Sequence, residues 1–236
     1  MNAHAKSFTD ALSAVRLDNV FNPYSDHCLL HDLLDAAERR RSNLQLSIST
    51  AVALNVRTIW IARDLGYRGG RRTGLALTDE MHLDAYSALF RGLPVEKATK
   101  GPAVGERTAN VIWSLLARIS EPVFLWNVFP LHPHEPDDPM TNRCHTARER
   151  DACGEFLHRV IDLIRPEKIV AIGGDAHRAV KGLGIRSEKV RHPSYGGQNV
   201  FIRQIEEAYG LASEEAQDLF SLSGTQASLE LWSDRK

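Results

Sequence analysis

The sequence predicts an α/β protein, a three-layer αβα sandwich with a central four-stranded parallel sheet. Three observations predict it. Brief apolar runs alternate with longer amphipathic stretches, as buried parallel strands alternate with crossover helices. Four such runs occur, and three end in loops rich in glycine, arginine or histidine. The length, 236 residues, suits one large domain with a closed core better than two small ones.

The elements follow in order. Residues 1–10 read as a loose terminus, and about 1–20 as a peripheral extension. Leu29 to Leu46 reads as a helix with Leu29, Leu30, Leu33, Leu34 and Ala37 on one face. The first strand is Asn55–Ala62, the second Pro122–Val128, the third Lys168–Ile172, which ends at Gly173-Gly174, and a short fourth is Ser187–Arg191. Helices are predicted over Met81–Phe90, Glu106–Ile119, Thr146–Ile164 (stopped by Pro166), Asp175–Leu183 and Gln198–Tyr209. Beyond Leu211 the chain is richer in Ser, Glu and Gln, which predicts one more helix, Ser213–Leu222, within a second peripheral extension over 212–236. Right-handed crossovers put every strand-to-helix loop on one sheet edge, where ligands bind in such sheets.

Composition bounds the chemistry. Apolar residues at 43% and charged residues at 25% fit a soluble globular chain. The net charge is −1, so a nucleic-acid binder of this balance must gather its positive charge locally. Cys28, Cys144 and Cys153 form no C-x-x-C pair, which argues against a disulfide framework and for a reducing cytoplasm. Three cysteines cannot complete a four-cysteine iron–sulfur cluster. No membrane-length apolar run and no signal peptide stand out, so no membrane partner is expected.

The loop after the first strand, Ala62 to Gly74, holds four arginines and four glycines. Glycines let backbone approach a ligand, and arginines grip phosphate bidentately, so Arg68, Arg71 and Arg72 are candidate DNA contacts. A solvated basic loop is the alternative. Gly69 and Gly74 are followed by Leu75-Ala76, which excludes a Walker A loop. Asp64 lies just past the strand end, where its carboxylate could face a substrate. In the second strand Asn127 is a polar residue within apolar neighbours; its amide must be satisfied, by a base edge or by nearby backbone. His132, His134, Glu135, Asp137 and Asp138 are of metal-ligand type without ligand spacing, so no metal is expected. After the fourth strand comes Arg191-His192-Pro193-Ser194-Tyr195-Gly196-Gly197-Gln198. Pro193 holds His192 extended, and Ser194 with the glycine pair opens a helix where a phosphate could sit.

These loops together resemble the uracil-DNA glycosylase superfamily, from about Asn22 to Tyr209. Asp64-Leu65-Gly66-Tyr67-Arg68-Gly69 is similar to its first active-site motif and His192-Pro193-Ser194 to its second. Asn127 falls where the family keeps its uracil-reading asparagine, and Ala171 to Ala176 is similar to its glycine-ended third strand and following helix. The resemblance implies a four-stranded parallel sheet and hydrolysis of the N-glycosidic bond of deoxyuridine on an extruded nucleotide, without metal or cofactor. Asp64 would then stabilise the sugar cation or position water, His192 would hydrogen-bond O2, and Asn127 would read the base. Ser194, Gly196 and Gly197 would hold phosphate, and Tyr195 to Gln198 would wedge into the duplex.

The departures point to a divergent branch without an iron–sulfur cluster. The first motif usually begins Gly-Gln-Asp or Gly-Glu, whereas here Arg63 adjoins Asp64. Gly66 stands where a tyrosine often excludes thymine's methyl, leaving that task to Tyr67 or a bulkier neighbour. Leu77 replaces the stacking phenylalanine, so stacking would pass to Phe129 or Tyr67. The leading expectation is a monomeric, cytoplasmic uracil-DNA glycosylase that leaves an abasic site. The alternatives are a catalytically weak binder of uracil-DNA or abasic DNA, a glycosylase for another deaminated base, and an unrelated small-molecule enzyme.

Overall fold

The structure, a computed structural model, describes residues 3–212; the helix expected over 213–222 lies outside the described residues. In chain order the first half runs α1 (Ala3–Ser13), β1 (Val20–Phe21), α2 (Ala36–Ala53), β2 (Thr58–Asp64), α3 (Gly70–Thr73), a 3-10 turn (Glu80–His82), α4 (Leu83–Leu89) and α5 (Arg107–Leu116). The second half runs β3 (Val123–Phe129), β4 (His132–Pro133), α6 (Ala147–Ile164), β5 (Lys168–Ile172), α7 (Gly174–Gly182), β6 (Glu188–Val190) and α8 (Gln198–Tyr209). The main sheet has the order β3-β2-β5-β6, every pair parallel. The expected α/β fold is thus found, and β1 with β4 adds a small antiparallel ribbon.

Alternation along the strands divides the core between two helical layers. Trp60 pairs with Leu125 and Ile61 with Trp126, so the two tryptophans face opposite sides. Trp126 meets Phe8 of α1 edge-to-face at 5.5 Å, and Phe8 meets Phe156 of α6 at 5.5 Å. On the other face Trp60 packs against Phe201 of α8, its indole N–H donating to Tyr209 at 2.8 Å. α6 begins where its sequence says it should: Thr146 Oγ1 accepts from Glu149 N at 3.2 Å, and the Glu149 carboxylate accepts from Thr146 N at 2.6 Å.

Two expectations fail. From Ala3 onward the stretch expected to be loose is the helix α1, whose Ala5, Phe8 and Leu12 are fully buried; the i, i+3, i+7 stripe was hidden among polar neighbours. The helix predicted from Leu29 starts only at Ala36, and Leu29, Leu30 and Leu34 are 84%, 79% and 96% exposed. The reason is Asp32. Its buried carboxylate accepts from Cys28 N at 2.9 Å and pairs with the buried Arg40 guanidinium, tying residues 28–32 into a turn.

Candidate active site

The carboxyl ends of β2, β5 and β6 open into a cleft of about 460 Å³. The connections from β2 and β5 leave on opposite faces, α5 packing with α8 and α7 lying on the α6 side, and this divergence parts the loops. Asp64, Gly66, Leu77, Glu106, His192 and Ser194 are among the cleft residues. A larger cavity, about 630 Å³, lies between α6 and α7 and shares Arg63, Cys144 and Asp175 with the cleft, but it lacks Asp64 and His192.

His192 is held in one state. Ser194 N donates to its Nδ1 at 3.2 Å, and Ser194 Oγ lies 2.7 Å from the same nitrogen. A nitrogen that accepts a backbone N–H carries no proton, so the proton of the neutral ring sits on Nε2. Burial, with Arg63 and Arg191 nearby, pulls the ring pKa down to about 4, so it is neutral at physiological pH. Its backbone demands glycines: Gly173 has φ +90° and lies under the ring, and a Cβ at Gly197 would stand 2.1 Å from His192 O.

Asp64 is held by both oxygens. Oδ2 accepts from Arg63 Nε at 2.5 Å, and Oδ1 meets Nδ1 of His145. Arg63 also reaches Asp175 at 3.1 Å, and Asp175 pairs with Arg178. A chain of charges thus crosses the crevice between the ends of β2 and β5; burial works against the charge of Arg63, but Asp64 and then Asp175 outweigh it and raise the guanidinium pKa.

Several sequence-predicted residues stand elsewhere. Arg71 and Arg72 are buried, 4% and 8% exposed, and are not phosphate contacts. Arg72 donates to Glu80 at 3.0 Å and to Thr99 at 2.9 Å, while Arg71 lies over the Phe21 ring at 4.1 Å. A guanidinium withdrawn from water needs partners; Arg72 finds them within the chain, whereas Arg71 Nε is left without one among the described residues. Phe129 is fully buried with its ring against His145 at 5.3 Å, and it does not line the cleft, so it is no stacking platform. Tyr67 stays outside as well: its backbone N–H donates to Asn142 at 2.9 Å and its hydroxyl accepts from Arg68. Gly197 is buried beneath its own loop, whereas Arg68, Tyr195, Gly196 and Gln198 are exposed. His132 is buried in the β1–β4 ribbon; its Nε2 meets Thr141 O at 2.8 Å, and burial drives its pKa down to about 3.

Asn127 is 1% exposed and does not line the open cleft. Its Nδ2 donates to Asp64 O at 2.9 Å, the local backbone bond that its position in the strand allowed for. That bond fixes the amide's orientation and leaves Oδ1 buried with no partner among the described residues.

Two residues the sequence did not single out bear on the site: His145, which meets Asp64 from the wall of the α6–α7 cavity, and Glu106, which lines the cleft. His145 gives no spacing signal beside Asp64, since 81 residues separate them. Glu106 is the residue before α5, and its backbone N–H is held by Asp79 Oδ2 at 2.5 Å. Its carboxyl lies directly over the glycines of the first motif: a Cβ at Gly66 would be 2.6 Å from Oε1, and one at Gly69 would be 2.1 Å from Oε2. Gly66-x-x-Gly69 was the signal that something must lie close above that loop. Burial, with the Asp79 carboxylate beside it, pushes Glu106 up to about 7, against a smaller lowering by Arg68.

No curated protein sequence matches the chain. Among solved structures the chain is similar in fold to wild-type SMUG2 of Pedobacter heparinus, with a TM-score of 0.60 and 12% identity over 89% of this chain and 97% of that one. Wild-type UNG of Nitratifractor salsuginis aligns with a TM-score of 0.41 and 12% identity, over 89% and 96%. A family model described as the uracil DNA glycosylase superfamily matches residues 2–222. With a parallel sheet whose strand ends carry Asp64 and His192, the chain belongs to the uracil DNA glycosylase superfamily, whose members are DNA glycosylases.

Proposed function

We propose that this protein excises uracil from DNA by hydrolysing the N-glycosidic bond of an extruded nucleotide. The observation that carries the reading is the state of His192. Its Nδ1 is occupied by Ser194, so a neutral ring offers Nε2–H as a hydrogen-bond donor beside the cleft. Uracil leaves as an anion with charge on O2, and a fixed neutral donor stabilises that charge without giving up a proton. One such donor in a water-poor site contributes on the order of 3 kcal/mol to the transition state.

The base-reading role falls to the orphaned Oδ1 of Asn127. Oδ1 is a buried acceptor with no partner among the described residues, and N3–H of an inserted uracil is the kind of donor it would take. Cytosine presents an acceptor at N3 and is repelled. Hypoxanthine presents the same N–H and C=O pair as uracil, so Asn127 alone does not separate the two. The second reading, a glycosylase for another deaminated base, loses support at Gly66: the space that its missing side chain leaves is taken by Glu106.

The test is incubation with single- and double-stranded oligonucleotides carrying uracil, hypoxanthine or xanthine, followed by alkaline cleavage of abasic sites. Cleavage at uracil, lost in His192→Ala, is the expected result. Retained DNA binding with no cleavage of any substrate would reduce the protein to a binder.

A further inference from the structure

Three carboxyl groups line the cleft, Asp64, Asp175 and Glu106, and their circumstances differ. Asp64 is spoken for by Arg63 on one oxygen and by His145 on the other. Asp175 is shared between Arg63 and Arg178. Glu106 has no side-chain hydrogen bond and no ion pair among the described residues, and no side chain stands between it and the glycine loop. This matters for a reaction that builds positive charge on a sugar. A carboxylate in contact with a guanidinium has much of its field cancelled by the partner, whereas an unpaired one in a partly enclosed cleft acts at full strength. The glycines at 66 and 69 have no packing reason to be glycine other than the closeness of this carboxyl.

We infer that Glu106 is the carboxylate that meets the attacking water and the sugar cation, and that Asp64 is a positioning residue acting through Arg63 and His145. This rests on the glycosylase reading above. In the step, the water oxygen bonds to C1′ as the C1′–N1 bond breaks. The bonding pair leaves with the base, whose anion is held by His192. Glu106 accepts one proton of the water, and the products are an abasic deoxyribose and the free base, which is reprotonated from solvent. The groups facing Glu106 are Asp79 from the turn before Glu80 and Arg68 from the glycine loop. Only the ionised carboxylate can take the proton, so the rate rises with pH through about 7.

The experiment is single-turnover excision of uracil from a single-stranded oligonucleotide, between about pH 5.5 and 8.5, by wild type, Glu106→Gln, Asp64→Asn, Gly66→Ala and the double variant Gly66→Ala/Glu106→Gln. Glu106→Gln is expected to lose on the order of 100-fold or more at pH 8 and to lose the rise near neutral pH, which Asp64→Asn keeps. Gly66→Ala introduces a methyl that displaces the carboxyl, so it lowers the rate in the wild-type background and adds no further loss to Glu106→Gln. That non-additivity would not arise from a merely structural role. Thermal melts of each variant separate slow chemistry from unfolding. A folded Glu106→Gln within about twofold of wild type would overturn the inference and leave the glycosylase reading intact. A wild type inert on every base would overturn both.

Discussion

The loop after β2, residues 65–74, and the loop after β6, residues 191–198, are both rich in glycine and charge and both reach the cleft, yet they use their polar side chains in opposite ways. The first turns Arg71 and Arg72 inward and spends them on Phe21, Glu80 and Thr99. The second turns His192 and Ser194 toward the cleft and leaves Tyr195 96% exposed, with φ +53°. An arginine-rich loop changes its role once it is buried. Its charges become rivets that hold the strand end still, and the task of meeting the substrate passes to the groups it supports. In the second loop the rivets are the glycines, Gly173 beneath the ring and Gly197 behind His192 O, and the polar side chains of His192 and Ser194 hold each other at the cleft wall.

Breaking the rivets should have the largest effect. Arg72→Ala leaves the fully buried Glu80 carboxylate without its guanidinium, and loss of one partner of a buried pair costs about 3–5 kcal/mol. Urea denaturation measures it; a loss under about 1 kcal/mol would mean that the loop is not held by its charges. Next is His192→Ala, expected to slow uracil excision on the order of 100- to 1000-fold while the fold persists. An unchanged single-turnover rate would remove the second loop from the chemistry.

Glu106 couples the first loop to pH. Its folded pKa is raised to about 7, so its contribution to stability is complete below the unfolded carboxyl value and is lost as pH rises through about 7. Glu106→Gln removes that loss. The variant should gain on wild type by up to about 3 kcal/mol between acid and pH 8, read as the difference in urea midpoints at the two pH values. The smallest effect belongs to Arg68, the arginine that the first loop leaves exposed near the glycines. Arg68→Ala should change stability by less than about 0.5 kcal/mol, while the slope of DNA affinity against salt falls by about one ion. If Arg72→Ala altered the slope and Arg68→Ala did not, the inward and outward assignments would be reversed.

Much of the fold was legible because strands and helices carry their own periodicity. β5 and α8 fall on their expected residues, β2 and β3 fall within three residues of theirs, and Thr146 with Glu149 marks the start of α6. The leucines at 29, 30, 33 and 34 misled for the same reason: they are spaced like a helix face, but the buried Asp32–Arg40 pair overrules spacing. At the site, the two motif loops and the asparagine between them could be read as short strings. Whether each side chain faces substrate or core could not, and Arg71, Arg72 and Phe129 were misread on that point.

Local pattern therefore settles the order of the strands and helices, the parallel sheet, and the edge along which chemistry must lie, because these follow from backbone geometry and from apolar residues repeated over a few positions. The partners are another matter. That Asp64 is clamped by His145, that Arg72 is neutralised by Glu80, and that Glu106 rests unpaired over Gly66 and Gly69 depend on how the chain returns on itself. Electrostatic and hydrogen-bonded contacts act over a few ångströms in space regardless of separation along the chain, and no spacing in the sequence records them.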